Sequence, residues 1–299
     1  MKYDILRIYI YNCINFTKNN IKMINKSSFI NLLTRIENNQ SNPYIGMGNP
    51  DSDTLFVGSE KALDENNPVY TSILEHELFL NYNHWKDIVN NFGALTDPFD
   101  NILLERSIPL SGFNPFNPLL FRTTAQIVQA AGAGHTYYGL QRLLNSYEVR
   151  NSSPLSTLFN PIFSENTFSK GFITEISASP ALQQTEANFK LSDFFNSDRY
   201  NFMTGSGSEF YQDFKKIVIY CGRNNRYVGK PDSNSRLKIL QIFNPSIHHN
   251  HRRVVSENDA NFDGYENGAG AKLILCRHFS SGFGHVQANQ ITNEIKETK

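Results

Sequence analysis

The 299-residue chain has only three cysteines, and no two of them form a Cys-x-x-Cys pair. An odd number of widely spaced cysteines, Cys13, Cys221 and Cys276, excludes the disulfide framework of a small secreted protein. We therefore expect reduced thiols and a cytoplasmic protein. Cys221 and Cys276, together with His278, are interpreted as packing residues.

Long hydrophobic runs are absent as well. No stretch approaches the roughly 18 apolar residues that a membrane-spanning helix needs, so we expect no membrane partner. The N-terminal segment lacks the small-residue cleavage site of a signal peptide. Residues 1–26 are predicted to be an extension, with Met1 or Met23 as the natural start. Helical spacing begins after an N-cap at Asn25 or Ser27.

The chain has no excess of charge of either sign, because 28 basic and 28 acidic residues give a formal net charge of zero. The charges are nevertheless unevenly placed. Residues 51–105 hold eleven acids and two bases, whereas residues 215–253 hold nine bases and one acid. A chain with zero net charge can thus still present one surface to a polyanion.

Four short apolar segments are predicted to form the core strands of an α/β sheet, because helical or loop segments separate them. A strand-like segment and a polar helix close the chain. The predicted strands span residues 54–57, 171–176, 216–221, 237–243 and, near the C-terminus, 272–276; the predicted helices include 71–80, 84–89, a broken helix at 123–147 and 286–296.

Polar side chains stand at the ends of three of these strands. Glu60 lies just beyond the first strand, Glu175 lies near the end of the second, and Asn244 and Ser246 follow the fourth. In open α/β sheets the ligand crevice lies at the carboxyl ends of the strands. We therefore expect these groups to share one site.

The turn and strand at 46–58 carry a pattern that is more specific than a lone glycine motif. Gly46, Gly48, Asn49, Pro50, Asp53, Phe56, Val57 and Gly58 fall in register with G-x-G-N-P-x-A-D-x-x-F-V-G-E-A-P-G. This segment resembles motif one of the uracil-DNA glycosylase superfamily, in its thermostable branch. The E-A-P-G that ends the motif is replaced by residues 59–62, and Glu60 occupies the place of the water-activating Asp of another branch.

Two further segments resemble motifs of the same superfamily. Glu175 stands where the superfamily has an Asn that recognises the flipped base. An ionised carboxylate only accepts hydrogen bonds, so Glu175 would suit an exocyclic amine on a cytosine or adenine derivative, whereas a protonated Glu175 would imitate the Asn. Asn244, Pro245 and Ser246 resemble the H-P-S motif, with Asn in place of His, and the following loop would enter the minor groove.

The resemblance implies a three-layer α/β/α sandwich with a central, mainly parallel four-stranded sheet over residues 27–299, with an insertion at about 92–169. It implies a monomeric, monofunctional glycosylase that flips a base out of single- or double-stranded DNA and hydrolyses its N-glycosidic bond. No metal or cofactor is implied, and three cysteines exclude the four-cysteine iron–sulfur cluster of the thermostable branch. The implied site residues are Glu60 and Asn244 as catalytic groups, Gly58, Ser59 and Glu175 as base-binding groups, and Arg223, Ser246, His248, His249, His251, Arg252 and Arg253 as DNA-binding groups.

Several alternatives stay open at this point. Glu60 could be a solvated turn residue, Glu175 could form a structural ion pair with Arg223, and the three histidines of 248–251 could be a metal site. The whole chain could be a non-catalytic nucleic-acid-recognition protein of the same fold, or an enzyme that acts on free nucleosides or nucleotides. The sequence leaves open which base is released, and whether the role is repair or defence against foreign DNA.

Overall fold

The computed structural model of the chain describes residues 24, 26–39, 41, 43–59, 78–92, 115, 140, 143, 171–177, 189–221, 225–254, 262–266, 271–279 and 285–296. Its helices are α1 (Ser27–Asn38), α2 (Asn81–Phe92), α3 (Leu191–Phe194), α4 (Asp198–Thr204), α5 (Ser208–Gln212), α6 (Asn225–Val228), α7 (Asn234–Phe243) and α8 (His285–Lys296), with a 3-10 turn at His249–His251. Its strands are β1 (Met47–Gly48), β2 (Thr54–Gly58), β3 (Phe172–Glu175), β4 (Lys216–Ile219), β5 (Arg252–Val254), β6 (Asp263–Tyr265) and β7 (Lys272–Leu275).

The strands form one mixed sheet in the order β1-β3-β2-β4-β7-β6-β5. The four inner strands β3, β2, β4 and β7 are parallel to one another. β1 at one edge and β6 and β5 at the other edge pair in the antiparallel sense. The expected α/β class and parallel core are confirmed, but the sheet has seven strands in the described residues and not four.

One predicted strand is wrong, because residues 237–243 lie in helix α7. The Ser233 hydroxyl caps this helix by accepting a hydrogen bond from Arg236 N at 3.2 Å. Ile239, Leu240 and Phe243 are buried on one face at the spacing of a helix. The fourth parallel strand is instead β7, which the sequence predicts only as a closing strand-like segment.

A large apolar cluster covers one face of the sheet. Val57, Ile219 and Leu275 of the inner strands pack in it with Phe29 of α1 and Ile239 of α7. Aromatic rings fill much of this layer. The ring centroid of Phe29 lies 4.9 Å from that of Trp85, and Phe172 and Phe210 lie edge to face at 5.1 Å.

The opposite face of the sheet is also buried. Phe56, Val218 and Ile274 alternate with the residues of the large cluster and are fully buried. Lys272, on this same face, forms an ion pair of 3.1 Å with Glu294 of α8, and both side chains are 5 % exposed. Helix α8 therefore lies on the face opposite α1 and α7.

The other predicted elements fall into two groups. The strands at 54–57, 171–176, 216–221 and 272–276 and the helices at 84–89 and 286–296 are confirmed as β2, β3, β4, β7, α2 and α8. The N-cap of α1 is Lys26, without a side-chain cap, and not Asn25 or Ser27. The extension at 1–26, the helix at 71–80 and the insertion at 92–169 lie almost wholly outside the described residues. Among the helices that are described, none has the length and apolar character needed to cross a membrane.

Candidate functional site

Four residues from the four parallel strands line up at the carboxyl edge of the sheet. The strand register pairs Gly58 with Glu175, and Val57 with Ile219. One residue beyond the paired positions, Tyr220 N donates to Val57 O at 2.8 Å and Cys276 N donates to Ile219 O at 2.9 Å. Glu175, Gly58, Tyr220 and Cys276 therefore form one row, which we call the carboxyl-edge row. Their side chains leave the same face of the sheet.

Gly58 provides the space in this row. A Cβ atom at Gly58 would lie 2.7 Å from the Glu175 carboxyl carbon and 2.7 Å from the Tyr220 hydroxyl oxygen. Both polar side chains thus lean over Gly58 from the strands on either side. Glu175 is 4 % exposed and Tyr220 is 2 % exposed. A buried carboxylate and a buried hydroxyl consequently meet at one point of the carboxyl edge.

The chain after β2 stays beside the chain after β3. Ile176 N donates to Gly58 O at 2.9 Å, and Ser177 N donates to Ser59 O at 2.8 Å. Ser59 and Ser177 are both buried. The predicted base-binding residues Gly58, Ser59 and Glu175 are thus brought together. Glu60, the predicted catalytic residue, follows Ser59 directly and lies outside the described residues.

A buried arginine of helix α4 fixes the end of β3. Arg199 donates to the Glu175 carbonyl oxygen from Nε at 3.2 Å and from Nη2 at 2.6 Å. Nη2 also donates to Thr174 Oγ1 at 2.8 Å, and Nη1 donates to the carbonyl oxygen of Tyr44. The guanidinium therefore ties β3 to the segment before β1 and holds the backbone from which the Glu175 side chain leaves.

The sequence analysis misses Tyr220 at the carboxyl edge and interprets His278, which also lies there, as a packing residue. The His278 ring centroid lies 5.7 Å from that of Tyr220, and Phe279 stacks on Tyr220 at 4.5 Å. Burial lowers the pKa of His278 to about 4, so its imidazole is neutral at pH 7. The sequence position of His278 gives a signal once β7 is counted among the core strands. His278 follows Leu275 by three residues, as Glu60 follows Val57 by three residues, and the strand register aligns Val57 and Leu275 through Ile219.

Asn244 is not brought to this edge. Its Nδ2 donates to Ala271 O at 2.7 Å, and its Oδ1 accepts from Ser246 N at 3.2 Å. Ala271 precedes β7, so Asn244 lies at the amino edge of the sheet and is 3 % exposed. The strand from which the catalytic role of Asn244 was inferred is a helix, and Asn244 lies away from the carboxyl-edge row, so the structure does not bring it together with Glu175. Its amide closes the C-terminal turn of α7.

The histidine loop also lies at the amino edge. Arg252 of β5 pairs with Tyr265, and Tyr265 pairs with Leu273 near the start of β7. His248 and His249 precede β5 and are exposed, like Ser246. The length of β7, roughly 13 Å along the strand direction, separates them from the carboxyl-edge row, and β5 lies two strands further towards the edge of the sheet than β7. The predicted DNA-binding loop and the predicted base-binding residues are therefore not adjacent.

The charges of this loop are partly neutralised within the protein. Arg252 pairs with Asp232 at 3.1 Å and with Asp263 at 3.4 Å, and Asp263 also pairs with buried Arg236 at 3.3 Å. His248 N donates to His251 Nδ1 at 3.1 Å, and His249 Nε2 lies 3.3 Å from Asn234 Oδ1. The Arg253 side chain and Arg223 lie outside the described residues, as does the proposed Arg223–Glu175 pair.

Within the described ranges, no three His, Cys, Asp or Glu side chains are grouped in a way that could hold a metal ion. Comparisons of the chain with protein-family models, with curated proteins and with solved structures find no match. The function must therefore be argued from the carboxyl-edge row and its surroundings.

Proposed function

We propose that the chain is a monofunctional DNA glycosylase of the uracil-DNA glycosylase superfamily, with the carboxyl-edge row as its base pocket. The observation that carries the proposal is the meeting of the buried Glu175 carboxylate and the Tyr220 hydroxyl over Gly58, beside neutral His278. In the sequence, Glu60 follows Gly58 by two residues. A base inside a duplex is unreachable, so the nucleotide must be flipped into such a pocket.

The chemistry needs two kinds of group. The bond from the sugar C1′ to the base nitrogen breaks, the base leaves with the electron pair and takes up a proton, and a water oxygen adds to C1′. Positive charge develops on the sugar, and the Glu60 carboxylate would stabilise it and orient the water, a contribution of about 3 to 4 kcal/mol. Neutral His278 can donate an N–H hydrogen bond to the leaving base, which becomes more negative as the bond breaks.

The position of β7 also supports a second-motif assignment other than Asn244. The superfamily's H-P-S motif follows a strand of the sheet, and here β7 is followed by His278, Phe279 and Ser280. His and Ser are kept and Phe replaces Pro. His278 and Phe279 stand at the same edge as Glu175, which is where residues that act on one base have to meet.

Finer features of the protein belong to the same proposal. Helices α1 and α7 on one face and α8 on the other favour a three-layer α/β/α sandwich. DNA is the proposed partner of a monomeric, cytoplasmic enzyme that uses no cofactor.

A second candidate function is hydrolysis of free nucleosides or nucleotides. It is favoured by the distance between the histidine loop and the carboxyl-edge row, and by the two aspartates that neutralise Arg252. An enzyme that acts on a free nucleoside needs no basic surface beside its pocket. Phosphate contacts make DNA binding strongly salt-dependent, so the salt dependence of turnover separates the two functions.

The test is a gel assay for alkali-labile abasic sites in oligonucleotides that contain uracil, hypoxanthine, xanthine or modified cytosines, with the matching free nucleosides assayed in parallel. We expect strand breaks with the wild type and a loss of about 100-fold or more in Glu60→Gln. Glu37→Gln is the matched control, because Glu37 forms an exposed pair with Lys86 on α2. Base release only from free nucleosides would favour the second function, and no release from any substrate would contradict both.

A further inference from the structure

A cleft opens at the amino edge of the sheet, between the start of α7 and the 3-10 turn that precedes β5. Its lining includes Asp232, His248, His249, Leu237, Leu240 and Tyr265. The first three of these residues are exposed, whereas Leu240 and Tyr265 are buried. Tyr265 therefore lies at the inner end of this cleft, which we call the α7 cleft. Its empty space is about 220 Å³, including the part that is open to solvent.

The inner end of the α7 cleft holds a polar group without a partner. Tyr265 is 4 % exposed, and its hydroxyl forms no hydrogen bond with any residue that the structure describes. Burial raises the pKa of Tyr265 and the Arg236 guanidinium opposes that rise, so the hydroxyl lies near Arg236, which also lines the cleft. A buried hydroxyl without an acceptor costs free energy, so it marks a place where an acceptor can bind.

Arg252 supplies a second donor that lacks an acceptor. It pairs with Tyr265 across β5 and β6, so the two side chains leave the same face of the sheet. Its Nη1 and Nη2 atoms bind Asp232 and Asp263. Its Nε atom is buried and has no hydrogen-bond partner within the described part of the chain. Two neighbouring donors thus lack an acceptor, which is the role of an anion or a carbonyl group.

The start of α7 adds further donors. Ser233 caps the helix by accepting from Arg236 N, and the N–H groups of Asn234 and Ser235 have no partner inside the helix. The first turn contains no acidic residue that would offset the positive end of the helix dipole. His249 Nε2 lies 3.3 Å from Asn234 Oδ1, which holds the histidine loop against the helix start. The donors around the cleft therefore favour an anion over a neutral carbonyl group.

Asp232 supplies an internal anion at this place. Its two carboxylate oxygens lie 3.2 and 3.1 Å from Arg252 Nη1. The Asp232 side chain is 65 % exposed, and an exposed pair stabilises a protein little. Its backbone has a φ of 58°, in the left-handed region that residues other than glycine seldom adopt. An external anion can therefore displace this carboxylate at low cost, and Arg236 and Arg252 then exceed Asp263 by one positive charge.

We propose that the α7 cleft binds a terminal phosphate group, from inorganic phosphate or a phosphomonoester, and that Asp232 competes with it for Arg252. A tetrahedral phosphate can accept from Tyr265, from Arg252 and from the helix start at once, whereas a planar carboxylate reaches only part of this set. An internal DNA phosphate does not fit, because the sugars on both sides keep it from the buried hydroxyl. The site lies away from the carboxyl-edge row, and the proposal does not depend on the glycosylase function.

The test is a calorimetric titration of the full chain with sodium phosphate at constant ionic strength. We expect saturable binding that is about 10-fold weaker in Tyr265→Phe, because a hydrogen bond to a charged acceptor is lost. Asp232→Asn removes the competing charge and should bind phosphate about 5-fold more tightly. Tyr211→Phe is the matched control, because its hydroxyl donates to Ile45 O at 2.7 Å in the core, and it should bind phosphate like the wild type.

Tyr265→Phe also separates binding of a ligand from a structural role. Since the hydroxyl has no partner in the described protein, its removal should leave the urea midpoint measured without phosphate unchanged or raised. A lower midpoint, or an unchanged phosphate affinity in this variant, overturns the proposal. So does the absence of binding at millimolar phosphate in both the wild type and Asp232→Asn.

Competition experiments identify the source of the phosphate group. Displacement of inorganic phosphate by a lower concentration of a nucleoside monophosphate identifies a phosphomonoester, and weaker binding of the monophosphate identifies free phosphate; both results support the proposal. Equal displacement by acetate, or displacement by an oligonucleotide without a terminal phosphate, overturns it. Failure of the abasic-site assay would contradict only the glycosylase function, because these titrations need no base release.

Discussion

At the scale of single residues, Gly58 is the position where the absence of a side chain has a specific use. Glu175 and Tyr220 occupy the space where a Cβ atom would lie. The atoms that would have to move are the ends of flexible side chains and not backbone. A substitution at Gly58 is therefore expected to disturb the site more than the fold.

We predict that Gly58→Ala lowers base release at least 10-fold while it destabilises the protein by only about 1 to 3 kcal/mol, the usual cost of overpacking. Gly207→Ala is the control, because its Cβ would approach Phe202 O and the Tyr211 ring to 3.0 Å, away from the carboxyl edge. Initial rates per folded molecule and urea unfolding curves should show a comparable loss of stability in both variants. Full activity in Gly58→Ala would contradict the assignment of the pocket.

A second prediction at this scale concerns Asn244. Asn244→Ala removes two hydrogen bonds at the amino edge, to Ala271 O and from Ser246 N. We expect a loss of about 1 to 3 kcal/mol in the free energy of unfolding, because a buried backbone group is left without its partner. Base release at a temperature where the variant is folded should equal that of the wild type. Lost activity at unchanged stability would restore the catalytic role that the sequence suggested.

At the scale of elements, the sequence predicts the parallel core well and helix α7 badly, for a physical reason. β2, β3, β4 and β7 are buried on both faces, so their apolar runs are continuous and short. Residues 237–243 form an equally short apolar run that fits a strand or a buried helix. The N-cap at Ser233 distinguishes the two, and it lies outside the run itself.

The pairing of the small edge strands and the make-up of the carboxyl-edge row depend on strand order and not on local sequence. β1 has two residues and β6 has three, so their pairing depends on neighbouring strands and not on local propensity. Tyr220 and His278 come together because β7 pairs with β4, which is a property of strand order. Gly58, Ser59 and Glu175 were foreseeable, since each stands at the end of a predicted strand.

The attachment of α7 to the β5–β6 edge gives a prediction at the same scale. Asp263 of β6 is fully buried and pairs with Arg236 of α7 and with Arg252 of β5. Asp263→Asn leaves the buried guanidinium of Arg236 without its carboxylate, so we expect a loss of about 3 to 5 kcal/mol. Urea unfolding should show a loss several times that of Glu37→Gln at an exposed pair. Equal midpoints in the two variants would contradict a stabilising role for this network.

At the scale of the whole molecule, the sheet separates two sets of polar residues. The carboxyl edge gathers Glu175, Tyr220 and His278, and the amino edge gathers Asn244 and the histidine loop. If DNA is the substrate, its phosphates are contacted by residues near the carboxyl edge. His248 and His249 would then contribute little to the salt dependence of turnover.

The stability of the whole molecule should depend on pH through His278. Burial lowers its pKa from 6.5 to about 4 in the folded state. Below pH 6.5 the unfolded chain therefore binds a proton at His278, whereas the folded protein does not bind it until the pH falls to about 4. The contribution of His278 to the free energy of unfolding is fully present above pH 6.5. It is lost as the pH falls, by up to about 1.4 kcal/mol per pH unit. Between pH 7 and pH 4.5 we expect the titration of His278 to lower the free energy of unfolding by about 2 to 3 kcal/mol.

His278→Gln removes the titrating group, so its free energy of unfolding should fall less steeply than that of the wild type over this range. His249→Gln, at an exposed histidine of the amino edge, is the matched control and should follow the wild type. Urea unfolding at pH 7, 5.5 and 4.5 measures the three slopes. Parallel slopes for the wild type and His278→Gln would show that His278 takes up a proton in the folded protein near pH 6.5. That result would contradict both this prediction and the proposal that the neutral imidazole of His278 donates a hydrogen bond to the leaving base.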